Sequence, residues 1–282
     1  MLHKTFISLL FIISVVSSSI AQDNKKDTIP GTKETLDVVA ETIEEKRLYS
    51  LGQFGKESAL FVKQPLRWQK KTWRHVGIMV GGTALLTLAD EPLRNSTQGN
   101  QRYYNSFLIE GGRMYGEAYS IGGVAGAFGL YGLIARDTVA KKIAIELFQA
   151  GLYSAALTEA LKVIVGRARP YTNEGHGSFH PFTFLNVDYN SFPSGHSTSA
   201  FALSTVLSRH AKSVGLKILA YLPAGLTLFS RIYQDKHWIS DELIGAAIGY
   251  FVGNWVADLH GTTRHRINVT SAFPIGISIA LN

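Results

Sequence analysis

Six stretches of this chain, residues 76–89, 118–135, 143–165, 199–207, 216–229 and 243–257, place Leu, Ala and Ile at i, i+3 and i+4. That recurrence is the signature of helices with a covered apolar face. It points to an all-α architecture with these six stretches as helices. No stretch is a clean apolar run of about 18 residues, so several suit a buried core as well as a bilayer. Charged residues make up 17% of the chain, below the roughly 25% usual in soluble domains. The deficit points to a membrane or a large helical core. Gly122, Gly123, Gly126 and Gly129 would let helices approach closely, as membrane bundles do and soluble ones also do.

The flanks read differently. Lys4, the apolar residues 6–16 and the small-x-small pattern at 19–21 have the layout of a secretory signal peptide over residues 1–21. The alternative is an uncleaved first span, for which the stretch is short against the roughly 20 residues needed. Residues 22–64 form a polar linker or arm, 65–260 a helical domain and 261–282 a tail. In that tail Ile275, Ile277, Ile279 and Leu281 alternate with smaller or polar residues, the strand period of a short C-terminal β-hairpin. At 65–74, Trp68 and Trp73 interleave with Arg67, Lys70, Lys71 and Arg74. This suits headgroup depth at a bilayer, and equally a basic surface helix anchored by two tryptophans.

The chain has no cysteine, which excludes disulfides and thiolate chemistry. Its net charge is +7, with no Lys/Arg tract of the kind that binds nucleic acid. The excess fits an anionic substrate or anionic lipid, or simply a solvated basic surface.

Between the helical stretches lie three strings that carry chemistry: Lys162-x6-Arg169-Pro170, Pro193-Ser194-Gly195-His196, and Ser230-Arg231-x5-His237-x3-Asp241. Lys162 and Arg169 are seven apart, close to two helical turns, so both can face one side near a helix end. Arg offers a planar fork that matches phosphate oxygens, and Lys a point charge. Ser194 has the chemistry of a helix N-cap, and the first-turn N–H groups at Gly195 would point at an anion. His196 then lies at the mouth of such a site. His237 and Asp241 are four apart on one helix face. A carboxylate at that spacing can orient an imidazole and fix its tautomer. Each string alone is ordinary: a basic helix end, an N-cap turn, a helical His–Asp pair. Arg167 falls on a different face from Lys162 and Arg169 and reads as structural. His176 and His180 have a spacing that a zinc pair uses, but Gly175 and Gly177 argue against a helix there, and no metal site is expected. The loop 171–189 is aromatic-rich, with Tyr171, Phe179, Phe182, Phe184 and Tyr189, and either lines an entrance or packs beneath the strings.

In order and spacing the three strings together resemble the type 2 phosphatidic acid phosphatase and vanadium haloperoxidase superfamily, over roughly residues 147–255, without departure at the key positions. The resemblance implies a helical phosphatase domain, a bundle of about six helices around a phosphate site, whose His237 attacks phosphorus to form a phosphohistidine, oriented by Asp241. His196 would protonate the leaving oxygen and then activate water. Lys162, Arg169, Ser194, Gly195 and Arg231 would hold the phosphoryl oxygens. It implies hydrolysis without metal or other cofactor of a phosphomonoester or diphosphate; the signal peptide, the low charge content and the Trp/Lys/Arg girdle favour a phosphorylated lipid as the leading substrate. The enzyme would be exported and membrane-associated, with its site facing the periplasm. Alternatives are a soluble periplasmic acid phosphatase acting on small phosphomonoesters, and a vanadate-dependent haloperoxidase. No nucleic-acid partner is implied.

Overall fold

The structure, a computed structural model, describes residues 50–184 and 186–261. The expected signal peptide, most of the polar arm and nearly all of the tail with its expected hairpin lie outside the described residues. Among the described residues the fold is all-α, as expected, with one isolated β-bridge between Arg167 and Phe179. The helices are α1 (Leu51–Val62), α2 (Gln64–Arg67), α3 (Lys70–Leu86), α4 (Asp90–Gln98), α5 (Phe107–Tyr115), α6 (Ala118–Ile134), α7 (Thr138–Val165), α8 (Gly195–His210), α9 (Val214–Leu219), α10 (Leu222–Tyr233) and α11 (Ile239–Leu259). Nine of these have nine residues or more, against the six read from periodicity. The additional ones are α1, α4 and α5. In α4 polar residues predominate, and α5 is too short to repeat an apolar face.

Local sequence sets the ends. Asp137 accepts the Ala140 N–H at 2.9 Å and opens α7. The left-handed Gly166 closes it, with its N–H on the Lys162 carbonyl at 2.8 Å. The 216–229 stretch, expected as one helix, is two. Pro223 sits in the first turn of α10, where its missing N–H costs nothing, but where it would break a continuous helix.

The core lies where α6, α7, α8 and α11 meet. Ile143, Leu147, Leu203, Val206 and Val256 are entirely or almost entirely buried there, with Phe128, Ile248 and Val252 around them. Each such side chain contributes about 1.5–3 kcal/mol on burial. Close helix approach occurs on α11. A Cβ at Gly245 or Gly249 would collide with the carbonyl oxygens of Ser194 and Thr198 in the first turn of α8. This contact sets the spacing of α8 and α11, whereas Gly122, Gly123 and Gly126 of α6 have open space above them.

Residues Lys70–Gln98 form a continuous helical segment of 29 residues, long and apolar enough to cross a membrane, with only 11% of its apolar window buried. Ile78, Val80 and Leu85 are exposed on it. Trp68 and Trp73 pack edge-to-face at 5.0 Å where it begins.

Candidate active site

The three strings converge at one end of the core because each borders a helix terminus there: the C-terminus of α7, and the N-termini of α8 and α11. Lys162 is 11% exposed and pairs with Glu159 at 3.0 Å. Its ammonium lies against Gly195, where an added Cβ would sit 3.4 Å from Nζ. Ser194 is fully buried. It caps α8 by accepting the Ser197 N–H at 3.4 Å, and its own N–H donates to the Asp241 carbonyl at 3.1 Å. The first turn of α8 is thereby fixed directly to α11.

Past Gly166 the chain is no longer helical, and this carries Arg169 across the site. Its guanidinium donates to the Val187 carbonyl at 2.8 Å, to Asn190 Oδ1 at 2.7 Å and to the Lys236 carbonyl at 3.1 Å. Nη1 then reaches His237 Nε2 at 3.4 Å. Arg231, at the end of α10, is buried. Nη1 donates to Gln234 at 2.7 Å, while Nε is buried with no hydrogen-bond partner. An unpaired buried guanidinium N–H is costly in a finished core and fits a donor directed at an anion.

His237 is 2% exposed. Nδ1 lies 2.8 Å from the Ser191 carbonyl, so it carries the proton and donates. Nε2 then bears the lone pair and faces Arg169. Asp241 is placed differently from the pairing expected of its spacing: Oδ2 is 3.9 Å from Nδ1, beyond hydrogen-bond reach. Asp241 instead accepts the Ser191 hydroxyl at 2.6 Å and the Trp238 N–H at 3.0 Å. It thus holds the residue that orients the ring and the residue that follows His237.

Arg167 is a central member of the site that its helix-face position did not reveal. Its buried guanidinium bridges Asp241 at 2.6 Å and Asp90 at 2.7 Å. Asp90 in turn accepts the Ser240 hydroxyl at 2.8 Å and the Ser240 N–H at 3.1 Å. Asp90, Ser191, Asn190 and Glu117 carried no signal as isolated letters, because their partners lie far along the chain. Ser230, which belongs to the third string, is structural: its hydroxyl donates to the Ile109 carbonyl at 2.7 Å. Glu242, beside Asp241, is fully buried and accepts the Ser197 hydroxyl.

Burial pushes the His237 imidazole well below its ordinary pKa, and Arg169, Arg231, Lys162 and His196 add to the effect. Its ring is therefore neutral at neutral pH, with a lone pair available. Among the described residues no group of three or more His, Asp or Glu is arranged to hold a metal ion. His176 and His180 lean on Glu91 and Glu174 respectively.

The PAP2 superfamily model matches residues 144–264, a span that contains all three strings and every residue assigned from them. The resemblance read in the sequence therefore holds over this segment. Lipid A 1-phosphatase of Porphyromonas gingivalis is 43% identical over 92 residues, which is 31% of this chain and 21% of that protein. Decaprenylphosphoryl-5-phosphoribose phosphatase of Mycobacterium tuberculosis is 34% identical over 114 residues, 39% of this chain and 57% of that protein. The chain thus spans between about a fifth and three fifths of these relatives. Among solved structures, that of Aquifex aeolicus LpxE covers 60% of this chain and 93% of its own, at 25% identity and a TM-score of 0.46.

Proposed function

We propose that this chain, whose residues 144–264 match the PAP2 superfamily, is a phosphatase acting on a lipid phosphate through a phosphohistidine on His237. The observation that carries the reading is the His237 Nε2 lone pair facing Arg169, with Lys162 against Gly195 and an unpaired Arg231 Nε. This arrangement supplies an activated nucleophile and donors for the charge that develops on phosphoryl oxygens.

His237 Nε2 attacks phosphorus as the bond to the leaving oxygen breaks, and His196 gives that oxygen its proton. A water then attacks the phosphohistidine while His196 takes a proton from it. The P–N bond breaks, inorganic phosphate leaves and both imidazoles return to their starting states. Lys162, Arg169, Arg231, Ser194 and the Gly195 N–H hold the three phosphoryl oxygens throughout. The scheme uses no metal.

A lipid substrate is supported by the names of the two curated relatives and by the exposed apolar segment Lys70–Gln98, with Trp68 and Trp73 at its start. We place the protein in a membrane through this segment, with the site on the periplasmic side. Purified protein is expected to release phosphate from lipid phosphates, lipid A among them, with EDTA present, and from small soluble phosphomonoesters more slowly. Equal rates on both classes, with recovery of the protein in the soluble fraction without detergent, would favour the soluble acid phosphatase instead. Activation by vanadate rather than inhibition would favour the haloperoxidase.

A further inference from the structure

The junction of α5 and α6 rests directly on His196. A Cβ added at Gly116 would lie 2.8 Å from the His196 carbonyl oxygen and 2.5 Å from Thr227 Cγ2, so only glycine permits this approach. The next residue, Glu117, places Oε1 3.3 Å from His196 Nε2. That distance is within ion-pair range, although the angle is not that of a hydrogen bond, and Nε2 is buried with no other partner.

Glu117 is itself held in place. Arg113 Nη1 donates to Glu117 Oε1 at 2.8 Å, and Arg113 Nε to Glu110 Oε2 at 2.9 Å. Glu110 Oε1 accepts from Gln234 Nε2 at 2.8 Å, and Gln234 Oε1 from Arg231 Nη1 at 2.7 Å. One polar chain through Glu117, Arg113, Glu110 and Gln234 therefore links the two string residues His196 and Arg231.

We propose that Glu117 is a positioning residue for the proton transfer at His196: its carboxylate engages Nε2 and favours the protonated ring, leaving Nδ1 to serve the leaving oxygen. The proposal rests on the phosphatase reading above and adds to it the source of the acid. Burial depresses the His196 pKa below the ordinary imidazole range, Glu117 opposes this, and Arg231 and Arg169 reinforce the depression. Without Glu117, His196 would lose its proton at lower pH. The Glu117 carboxyl is correspondingly lowered, first by His196, so it is the charged member of the pair.

The test is Glu117→Gln in the full chain, purified in detergent, with helical content checked by circular dichroism. General acids contribute about 10²–10⁴-fold, so kcat on an alkyl phosphate should fall about 10²-fold, and on an aryl phosphate with an acidic leaving group by less than about threefold. The His196 ring titration, followed by NMR and assigned with His196→Asn, should move to lower pH. The alkaline limb of the rate profile should move with it. Equal losses on both esters, or a titration that does not move, overturns the proposal. If Gln at position 117 prevents folding, Glu117→Asp keeps the charge at greater distance and should give the same selective loss in smaller measure. A parent protein that releases no phosphate overturns the hydrolase reading and the catalytic part of this proposal with it. The ring titration then decides separately whether Glu117 holds the His196 proton.

Discussion

The core helices carry a buried His–carboxylate assembly at each end, and the two assemblies differ in what they leave unpaired. The site end joins His237, Asp241, Arg167 and Asp90. Some 24 Å away along α7, from Lys162 back to Glu146 at 1.5 Å per residue, lies the other. There His210 meets Glu146 at 2.6 Å, His260 meets Glu57 at 3.3 Å and Gln149 donates to Glu57 at 2.7 Å. At the far end the unpaired atoms are Glu146 Oε1, Gln149 Oε1 and His260 Nδ1; near the site they are Glu242 Oε1, His196 Nε2 and Arg231 Nε. Both ends leave a carboxylate oxygen and an imidazole nitrogen unpaired, and the site end alone adds an unpaired guanidinium donor, among Lys162 and Arg169. Burial and histidine alone therefore do not distinguish a phosphate site. A surplus of fixed donors around a neutral imidazole does.

The largest effect expected of this contrast is on His237. His237→Ala should lower phosphate release by at least about 10³-fold with an unchanged far-UV spectrum. Near-parental activity would break the distinction at once.

Arg167 comes next. It bridges two buried carboxylates, and removing one partner of a buried pair typically costs about 3–5 kcal/mol because the remaining charge is uncompensated. Arg167→Met should lower stability by about that amount in chemical denaturation, and should also loosen Ser191 and hence the His237 ring. A loss below about 1 kcal/mol would show that the carboxylates find other partners.

The pH profile is a finer test. His237 must be neutral to attack, and its pKa is depressed, so the acid limb should lie below the ordinary imidazole value of about 6.5. His196 must be protonated in the first step, and its pKa is also lowered, so the alkaline limb should move down too. The bell for kcat/KM should sit on the acid side of neutrality. An optimum on the alkaline side would contradict these roles.

The smallest effect is expected at the far end. Glu146→Gln preserves shape and removes a charge there, so it should cost about 1–3 kcal/mol of stability while kcat stays within about threefold of the parent. A selective loss of activity would mean that the two ends are coupled.

Much of the site was legible in the sequence because the strings mark helix termini. Ser194 before Gly195 marks where α8 starts, whereas α7 stops at Gly166, ahead of Arg169 and Pro170, and α11 starts at Ile239, so that His237 precedes the helix that carries Asp241. Termini are also where backbone donors and side chains converge on an anion. The orienting partners were not legible. Asp90 and Glu117 are single acidic residues on short or weakly periodic segments, and they reach Arg167 and His196 only through tertiary packing 77 and 79 positions along the chain. The His237–Asp241 spacing showed that the two are close, but not that Ser191 stands between them. Gly245 and Gly249 look no different in the sequence from Gly122, Gly123 and Gly126, yet they lie under a neighbouring backbone and those three do not.

The central claim, a covalent phosphohistidine on His237, is tested most directly by trapping it. Protein turning over an aryl phosphate and quenched at alkaline pH, where phosphohistidine survives, should carry phosphate on the peptide that begins at His237, and His196→Asn, which with this leaving group slows hydrolysis of the intermediate more than its formation, should increase its amount. Phosphate released at full rate with no label on that peptide, or with the label on another residue, would contradict the account.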